Sequence, residues 1–157
     1  MRSITPRGMD AIIHHEGLRK TAYRDVAGLL TIGVGHLLTR DELSSGKLRI
    51  GSEVVRWAKG ISDSQARTLL AQDLDIAERA VSEDDRGLTD GQFDALVSLV
   101  FNIGVGAYQG STLRRKLLAG DMDAVPAQIK RWNRAGGIVV PGLIRRRDSE
   151  AAMWSAY

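Results

Sequence analysis

Two carboxylic acids and a hydroxyl lie at short, fixed spacings in the first part of the chain. Eight residues separate Glu16 from Asp25, and five separate Asp25 from Thr31. Glycines within and just after this segment suit tight turns that fold it back on itself, so that all three groups face one cleft. Hydrolysis of a glycosidic bond needs this set: one carboxyl that protonates the leaving oxygen and one carboxylate that activates water.

A helix is predicted to position the first acid. Thr5-Pro6 combines a hydroxyl N-cap with proline at the first helical position, and the helix should end near Glu16-Gly17. Glu16 then follows Ile12 by one turn and lies beside an apolar stripe, where burial favours the protonated carboxyl that a general acid needs. The alternative is an ordinary charged residue at a helix end, a position that the helix macrodipole makes unfavourable for a carboxylate.

A small antiparallel sheet is predicted to position the other two groups. Between Leu18 and Leu38 no helical period persists, and short runs rich in β-branched residues are separated by glycines. Thr31 would then lie on a strand, with Ile32 on the opposite face. Across the turn its hydroxyl can join Asp25 in holding a water molecule, and the alternative is that Thr31 is an ordinary β-branched strand residue.

Three ordered blocks together resemble a known family. The Glu16, Asp25 and Thr31 spacing is followed by Gly33-Val34-Gly35-His36. The second block is Phe101-Asn102-Ile103-Gly104 with Gly106, and the third runs from Trp132 through Gly142-Leu143 and Arg146-Arg147 to Glu150. In this arrangement the chain resembles the phage-type lysozymes, the endolysins related to the T4 enzyme.

The resemblance implies a muramidase, a glycoside hydrolase that cuts the β-1,4 bond between N-acetylmuramic acid and N-acetylglucosamine in peptidoglycan. It implies inversion, with Glu16 as general acid, Asp25 as general base and Thr31 positioning water, and it implies no cofactor. From the residues alone, a chitinase or a transglycosylase would look similar. Substrate contacts are expected at Leu37, Phe101, Asn102, Thr112 and Trp132, although Phe101 fits a simple core position as well.

The histidines are not predicted to bind metal. His14 and His15 are neighbours on a helix and point about 100° apart, so they cannot share an ion as an i,i+4 pair can. The resemblance implies that His36 pairs with an acid on a later helix, which corresponds to Asp73. We expect this pair to be structural, and a catalytic histidine is the alternative.

Helical periodicity dominates the rest of the chain. Capping boxes begin at Thr39, Ser62 and Thr89, and apolar residues keep helical spacing from 62 to 81. The expected fold is therefore a mostly helical α+β lysozyme-like domain over 1–157. It would have an N-terminal lobe over about 1–61 that holds the small sheet, a long connecting helix over about 62–81, and a helical C-terminal lobe over about 82–157.

Two segments fit this pattern less well. Residues 46–60 show no clear period, and Val54, Val55 and Trp57 are expected to form a small apolar patch or a helical turn. Pro126 falls inside an expected helix leading to Trp132. Proline removes a helical hydrogen bond, so this helix should be short, kinked or late to begin.

The basic charge is concentrated near the end of the chain. The formal net charge is +3, but Lys130 to Arg147 contains six basic residues and no acid. An anionic partner such as the cell-wall surface is expected there, and a solvated basic face is the alternative. The residues concerned are Lys130, Arg131, Arg134, Arg145, Arg146 and Arg147.

Composition limits the remaining possibilities. With no cysteine the fold must rest on packing, and no apolar run suggests a signal peptide or a transmembrane segment. The resemblance therefore implies synthesis in the host cytoplasm, release through a holin-type membrane lesion, and action as a monomer. The rival hypotheses are a helical nucleic-acid-binding protein, suggested by the pI of about 9.5, and a catalytically silent basic module that binds walls or membranes. Peptidoglycan, and not nucleic acid, is the expected partner.

Overall fold

The structure, a computed structural model, describes all 157 residues and is mostly helical with short antiparallel sheets. This confirms the predicted α+β class. The helices are α1 Pro6–Glu16, α2 Arg40–Ser45, α3 Asp63–Asp73, α4 Asp75–Glu83, α5 Asp90–Ile103, α6 Val105–Gln109, α7 Thr112–Leu118, α8 Val125–Lys130 and α9 Pro141–Ala156. The strands are β1 Arg19–Arg24, β2 Leu30–Gly33, β3 His36–Leu37, β4 Lys47–Ile50, β5 Glu53–Arg56, β6 Arg134–Ala135 and β7 Ile138–Val139.

The chain divides into two compact units, and one of them is discontinuous. Residues 10–75 form one unit, and residues 1–9 together with 76–157 form the other. The expected single helix over 62–81 is two helices, because the chain breaks at Leu74 between α3 and α4. At Leu74 ψ is −15°, which is short of the helical value of about −42°. Apolar spacing continues unchanged across this residue, so periodicity could not reveal the break.

The unit of residues 10–75 is built on the three-stranded sheet β1-β2-β3. In the antiparallel register, Thr31 of the central strand lies opposite Tyr23 of β1 and Leu37 of β3. The side chain of Ile32 on the other face is fully buried. It belongs to a core with Leu38, Leu48, Ile50, Ile61, Ala66 and Leu69. Ile32 thus points into this core, and Thr31 points to the opposite face of the sheet.

Residues 47–56 form a hairpin, where the sequence predicts only a patch or a helical turn. Strands β4 and β5 pair over four residues on each side of the turn Gly51-Ser52. Leu48 and Ile50 are buried while Lys47 and Arg49 are exposed, which is the alternation of a half-buried strand. The helical turn is confined to Trp57–Lys59.

The predicted helix ends are confirmed where capping chemistry specifies them. At Thr39, Ser62 and Thr89 both bonds of a capping box are present. Helix α2 ends at Gly46, whose φ of +71° is the left-handed conformation that glycine adopts most readily. Pro126 lies in the first turn of α8, where no helical hydrogen bond needs its missing N–H.

The second unit packs α5 against α9. The core of this contact consists of α5 side chains that are at most 1% exposed: Phe93, Leu96, Val97 and Val100. Gly91 permits the close approach, because a Cβ there would lie 2.6 Å from the carbonyl oxygen of Tyr157.

The first residues of the chain bind to this unit through polar contacts. The Ile4 N–H donates to Glu78 at 2.6 Å, and Arg2 forms ion pairs with Asp85 and Asp90. The hydroxyls of Thr5 and Tyr157 both donate to the buried carboxylate of Asp94. These contacts hold residues 1–9 against residues 76–157 within the same unit.

Candidate active site

Glu16 is the last residue of α1, and its side chain is half-buried. The helix stops there because Gly17 adopts a φ of +76°, and the Gly17 N–H caps the Ile13 carbonyl at 2.7 Å. Gly35, in the turn between β2 and β3, lies against the carboxyl group. A Cβ at Gly35 would be 2.9 Å from Glu16 Oε2. The sheet turn and the end of the helix are thus in direct contact at Glu16.

Asp25 lies in the turn between β1 and β2, and backbone donors hold its carboxyl group. Its Oδ1 accepts hydrogen bonds from the Ala27 N–H at 2.9 Å and the Leu29 N–H at 2.8 Å. The turn is closed by the Gly28 N–H, which donates to the Asp25 carbonyl at 2.9 Å. With Oδ1 occupied in this way, Oδ2 remains available to accept a proton.

Thr31 is 4% exposed and lies on β2, two residues after the turn. Its hydroxyl donates to the Leu29 carbonyl at 3.0 Å. Because the hydroxyl hydrogen is used in that bond, the oxygen can act only as an acceptor toward a water molecule. Leu29 therefore orients both groups, since its N–H binds Asp25 and its carbonyl binds Thr31.

Leu37 and Tyr23 flank Thr31 across the sheet. Leu37, expected to contact substrate, is paired with Thr31 in β3 and is 50% exposed. Tyr23 was not predicted as a site residue. The Arg19 guanidinium lies over its ring, with Cζ 4.6 Å from the ring centroid. Burial raises the pKa of the Tyr23 hydroxyl, Arg19 lowers it, and the charges of Glu16 and Asp25 raise it further. Both carboxylates thus act on the same hydroxyl, a relation that their sequence spacing does not indicate.

His36 binds two carboxylates. Its Nδ1 lies 2.7 Å from Asp73 Oδ2, the partner that the resemblance implies, and its Nε2 lies 2.8 Å from Glu42 Oε1. Burial alone would lower the pKa of His36, but the hydrogen bonds and charges of Asp73 and Glu42 raise it to about 9. Glu42 was missed as a partner, although its place in the Thr39 capping box puts it near β3. With both nitrogens engaged, His36 has no free nitrogen for proton transfer.

Two expected substrate contacts lie at the end of α5. Phe101 is half-buried and lies outside the fully buried core, while Asn102 is exposed. The Asn102 Oδ1 accepts a hydrogen bond from Arg147 Nη2 at 2.8 Å, so its amide is oriented by α9.

The other two expected contacts line a common cavity. Thr112 and Trp132 border a cavity of about 260 Å³, together with Leu113, Gln128 and Arg131. Gln128 was not identified from the sequence, and Arg131 was predicted only as part of the basic surface.

The predicted basic surface needs a correction. Arg146 is 5% exposed and Arg147 is fully buried, so neither can form part of a surface that meets an anionic wall. Both guanidinium groups pair with the fully buried Glu150, Arg147 Nε at 2.7 Å and Arg146 Nε at 3.4 Å. The i,i+3 and i,i+4 spacings to Glu150 were the sequence signal for these pairs. The exposed basic residues of the segment are Lys130, Arg131, Arg134 and Arg145.

The three groups predicted to carry chemistry all lie in the unit of residues 10–75. One turn holds Asp25 and Thr31, and the next turn contacts Glu16 through Gly35. A half-buried carboxyl, an oriented carboxylate and an accepting hydroxyl form a set that can protonate one oxygen and deprotonate a water.

Comparison with known proteins gives consistent matches. The phage lysozyme family model matches residues 13–150. The endolysin of Acyrthosiphon pisum secondary endosymbiont phage 1 is 34% identical over 158 residues, covering 98% of both chains. The SAR-endolysin of Escherichia phage Mu is 36% identical over 146 residues, covering 92% of this chain and 77% of its own length. The crystal structure of a P22 lysozyme mutant aligns with a TM-score of 0.80 at 35% identity, covering 98% of this chain and 99% of that chain.

Proposed function

Since the chain belongs to the phage lysozyme family, and is therefore a glycoside hydrolase of the lysozyme class, we propose a specific cleavage. In this proposal the protein hydrolyses the β-1,4 bond between N-acetylmuramic acid and N-acetylglucosamine. Glu16 is the general acid, Asp25 is the general base and Thr31 positions the water. Family membership favours this function over the nucleic-acid-binding and silent wall-binding alternatives.

The shared anchoring of Asp25 and Thr31 by Leu29 is the observation that carries this proposal. The Leu29 N–H binds Asp25 Oδ1 at 2.8 Å and its carbonyl accepts from Thr31 at 3.0 Å. The same residue therefore fixes the Asp25 carboxyl group, whose Oδ2 is left as an acceptor, and the Thr31 hydroxyl oxygen, which is also an acceptor. A water molecule has two hydrogens and can donate one to each, which directs its lone pairs away from both. A nucleophilic carboxylate would not require the hydroxyl.

The reaction then proceeds by a single displacement. Glu16 donates its proton to the glycosidic oxygen as the bond to the anomeric carbon breaks. The held water attacks that carbon from the opposite face, and its proton passes to Asp25 Oδ2. One new reducing end and one new non-reducing end result, and the proton on Asp25 returns to Glu16 through solvent. This mechanism requires a carboxyl separation of about 6.5–9.5 Å, compared with about 5–5.5 Å for a retaining enzyme.

Proton NMR of the first-formed reducing sugar tests the proposal. Inversion of a β bond must yield the α anomer before mutarotation. If the β anomer appears first, the roles given to Asp25 and Thr31 are wrong.

Substitution of the proposed acid is the complementary test. Glu16→Gln should lower the rate of wall lysis by about 10²- to 10⁴-fold with an unchanged circular dichroism spectrum. Glu53→Gln, at an exposed glutamate of the same unit, is the control and should lyse walls at the wild-type rate. Retention of more than a few per cent of activity by Glu16→Gln would remove Glu16 from this role.

We also propose that the protein reaches its substrate through a holin-type lesion. None of the helices has the length and apolar character needed to cross a bilayer. Expression in a host with and without a co-expressed holin tests this route, and lysis that is equally fast in both cases would contradict it.

A further inference from the structure

Strands β6 and β7 form a small ribbon, residues 134–139, that is exposed on both faces. The two strands pair antiparallel across the Gly136-Gly137 turn. All six residues are exposed, and the exposed fraction is 71% for Ile138 and 41% for Val139. The hairpin β4-β5, by contrast, buries alternate residues of β4 in the core. The β6-β7 ribbon therefore leaves two adjacent apolar side chains in water with no core to cover them.

The charge around these two residues distinguishes them from other exposed apolar residues. Residues 124–147 include no Asp or Glu. With the exception of Met1, every other exposed large apolar residue has an acid within four positions in the sequence. Such acids repel an anionic surface, and the β6-β7 ribbon lacks them. The exposed basic residues of the acid-free segment are Lys130, which lies 3.8 Å from Asp148, and Arg131, Arg134 and Arg145.

Arg134 lies on the ribbon itself. It is opposite Val139 in the pairing of the two strands, and its Nη1 donates to the Gly137 carbonyl at 3.2 Å. This bond satisfies a turn carbonyl, which would be costly to take out of water unpaired. The Nε and Nη2 groups of the same guanidinium can still bind a phosphate, whose oxygens match its planar fork. One short ribbon thus combines an apolar pair with a cation suited to phosphate.

We propose that the β6-β7 ribbon inserts its tip into the headgroup region of an anionic lipid membrane, with Arg134 on a lipid phosphate. Two strand residues on each side of the turn extend about 7 Å. Interfacial apolar groups are buried to a depth of about 5–10 Å, so Ile138 and Val139 can reach the acyl boundary. Cations alone would suit any anionic polymer, but the apolar pair gains nothing from a hydrophilic wall polymer. The inference goes beyond the proposed hydrolysis and does not depend on it.

Co-sedimentation of the full-length protein with vesicles tests the proposal. One set of vesicles is phosphatidylcholine alone, and the other is phosphatidylcholine and phosphatidylglycerol in equal parts. At low salt the wild type should bind the anionic vesicles at least about tenfold more tightly, since each basic residue near such a surface contributes about fivefold. The double substitution Ile138→Ser with Val139→Ser should weaken this binding by about tenfold, because two apolar side chains no longer leave water. Arg134→Gln should weaken it by about fivefold.

The hairpin β4-β5 supplies matched controls. Val54 is 53% exposed but follows Glu53, and Arg56 is an exposed arginine on the same strand. Val54→Ser and Arg56→Gln therefore remove the same kinds of group from a second ribbon, and both variants should bind anionic vesicles like the wild type. Circular dichroism should be unchanged in all of these variants, because every substituted side chain is exposed.

A fluorescent label measures insertion directly. The chain contains no cysteine, so Ala135→Cys can carry a single polarity-sensitive label beside the ribbon turn, and Val54→Cys can carry the control label. Emission from the label at position 135 should shift to the blue on anionic vesicles. Emission from the label at position 54 should not shift.

The proposal is overturned if the wild type does not bind anionic vesicles, if the double serine variant binds them as tightly as the wild type, or if the label at position 135 does not shift. It is also overturned if the control substitutions weaken binding as much as those on the ribbon. A double variant that loses binding to purified walls but not to vesicles would identify the wall as the partner and contradict a lipid site. The vesicles contain no glycan, so failure of the proposed hydrolysis would appear separately, in the anomer experiment.

Discussion

The position of Glu16 depends on Gly35. It combines a φ of +69° with a backbone so close to the carboxyl that a Cβ would lie 2.9 Å from Glu16 Oε2. Alanine there must both adopt a left-handed conformation, at a cost of about 1–2 kcal/mol, and displace the carboxyl group. A general acid that is displaced by even an ångström loses much of its rate advantage.

Gly35→Ala should therefore lower kcat by about tenfold or more, in addition to reducing stability. Gly46→Ala is the matched control: its φ is +71°, and a Cβ there would meet nothing within 4 Å. Chemical denaturation should show a similar loss of stability for both variants, while wall-lysis kinetics should separate them. Equal kcat values for the two would show that Gly35 has no role beyond its backbone conformation.

At the scale of elements, His36 joins β3 to α2 and α3 through its two carboxylate partners. The folded pKa of His36 is about 9, whereas an unperturbed histidine has a pKa of about 6.5, so the folded state binds the proton more tightly than the unfolded chain. The resulting stabilisation is complete below about pH 6.5 and is lost as the pH rises through about 9. A shift of this size corresponds to about 3 kcal/mol.

Unfolding measured by denaturant between pH 6 and pH 10 checks this prediction. The wild type should lose stability across the alkaline part of the range, and His36→Gln should show a much flatter profile in that window. His14→Gln, at an exposed histidine of α1, should follow the wild type. An NMR titration of the His36 ring that gives a midpoint below 7 would contradict the proposed stabilisation.

Glycines on helices provide a second prediction at this scale. Gly91 lies where α5 meets the end of α9, and a Cβ there would be 2.6 Å from the Tyr157 carbonyl oxygen. Gly91→Ala should destabilise the protein by about 1–3 kcal/mol through overpacking. Gly106→Ala, on α6 with nothing within 4 Å of its Cβ, should be neutral or stabilising by up to about 1 kcal/mol. Thermal unfolding of the two variants should shift in opposite directions.

The elements differ in how far the sequence predicts them. Capping boxes at Thr39, Ser62 and Thr89 specified three helix starts, because side-chain chemistry at those positions is local. The hairpin β4-β5 was missed although Leu48 and Ile50 alternate with charged residues before a Gly51-Ser52 turn. Its strands have only four residues each, and so short an alternation carries little periodic signal.

Side-chain placement was harder to predict than backbone. The spacing of Glu16, Asp25 and Thr31 indicated candidate chemistry, but the role of Leu29 comes entirely from backbone groups that every residue possesses. Arg146 and Arg147 were expected on a charged surface. Their spacing to Glu150 indicates the ion pairs, but the burial of those pairs depends on the packing of α9 against α5, which no local pattern indicates.

For the whole molecule, the exposed basic residues should govern encounter with the wall. Attraction between exposed charges is screened over about 8 Å at physiological salt. Lysis of whole walls should therefore slow as salt rises, and the double substitution Arg134→Gln with Arg145→Gln should weaken that dependence. Cleavage of a soluble neutral oligosaccharide by the same proteins serves as the control, with little change expected. A flat salt profile on walls would identify these residues as a solvated face only.

The discontinuity of the second unit constrains the order in which the protein can assemble during synthesis. Asp94 accepts hydrogen bonds from both Thr5 and Tyr157. The complete set of contacts around Asp94 can therefore form only after Tyr157 has been translated, long after Thr5. Residues 10–75 form a separate compact unit and have no such delay within them. On the ribosome, the unit that carries Glu16, Asp25 and Thr31 can therefore fold first. The unit of residues 1–9 and 76–157 cannot complete its packing until residue 157 has left the exit tunnel.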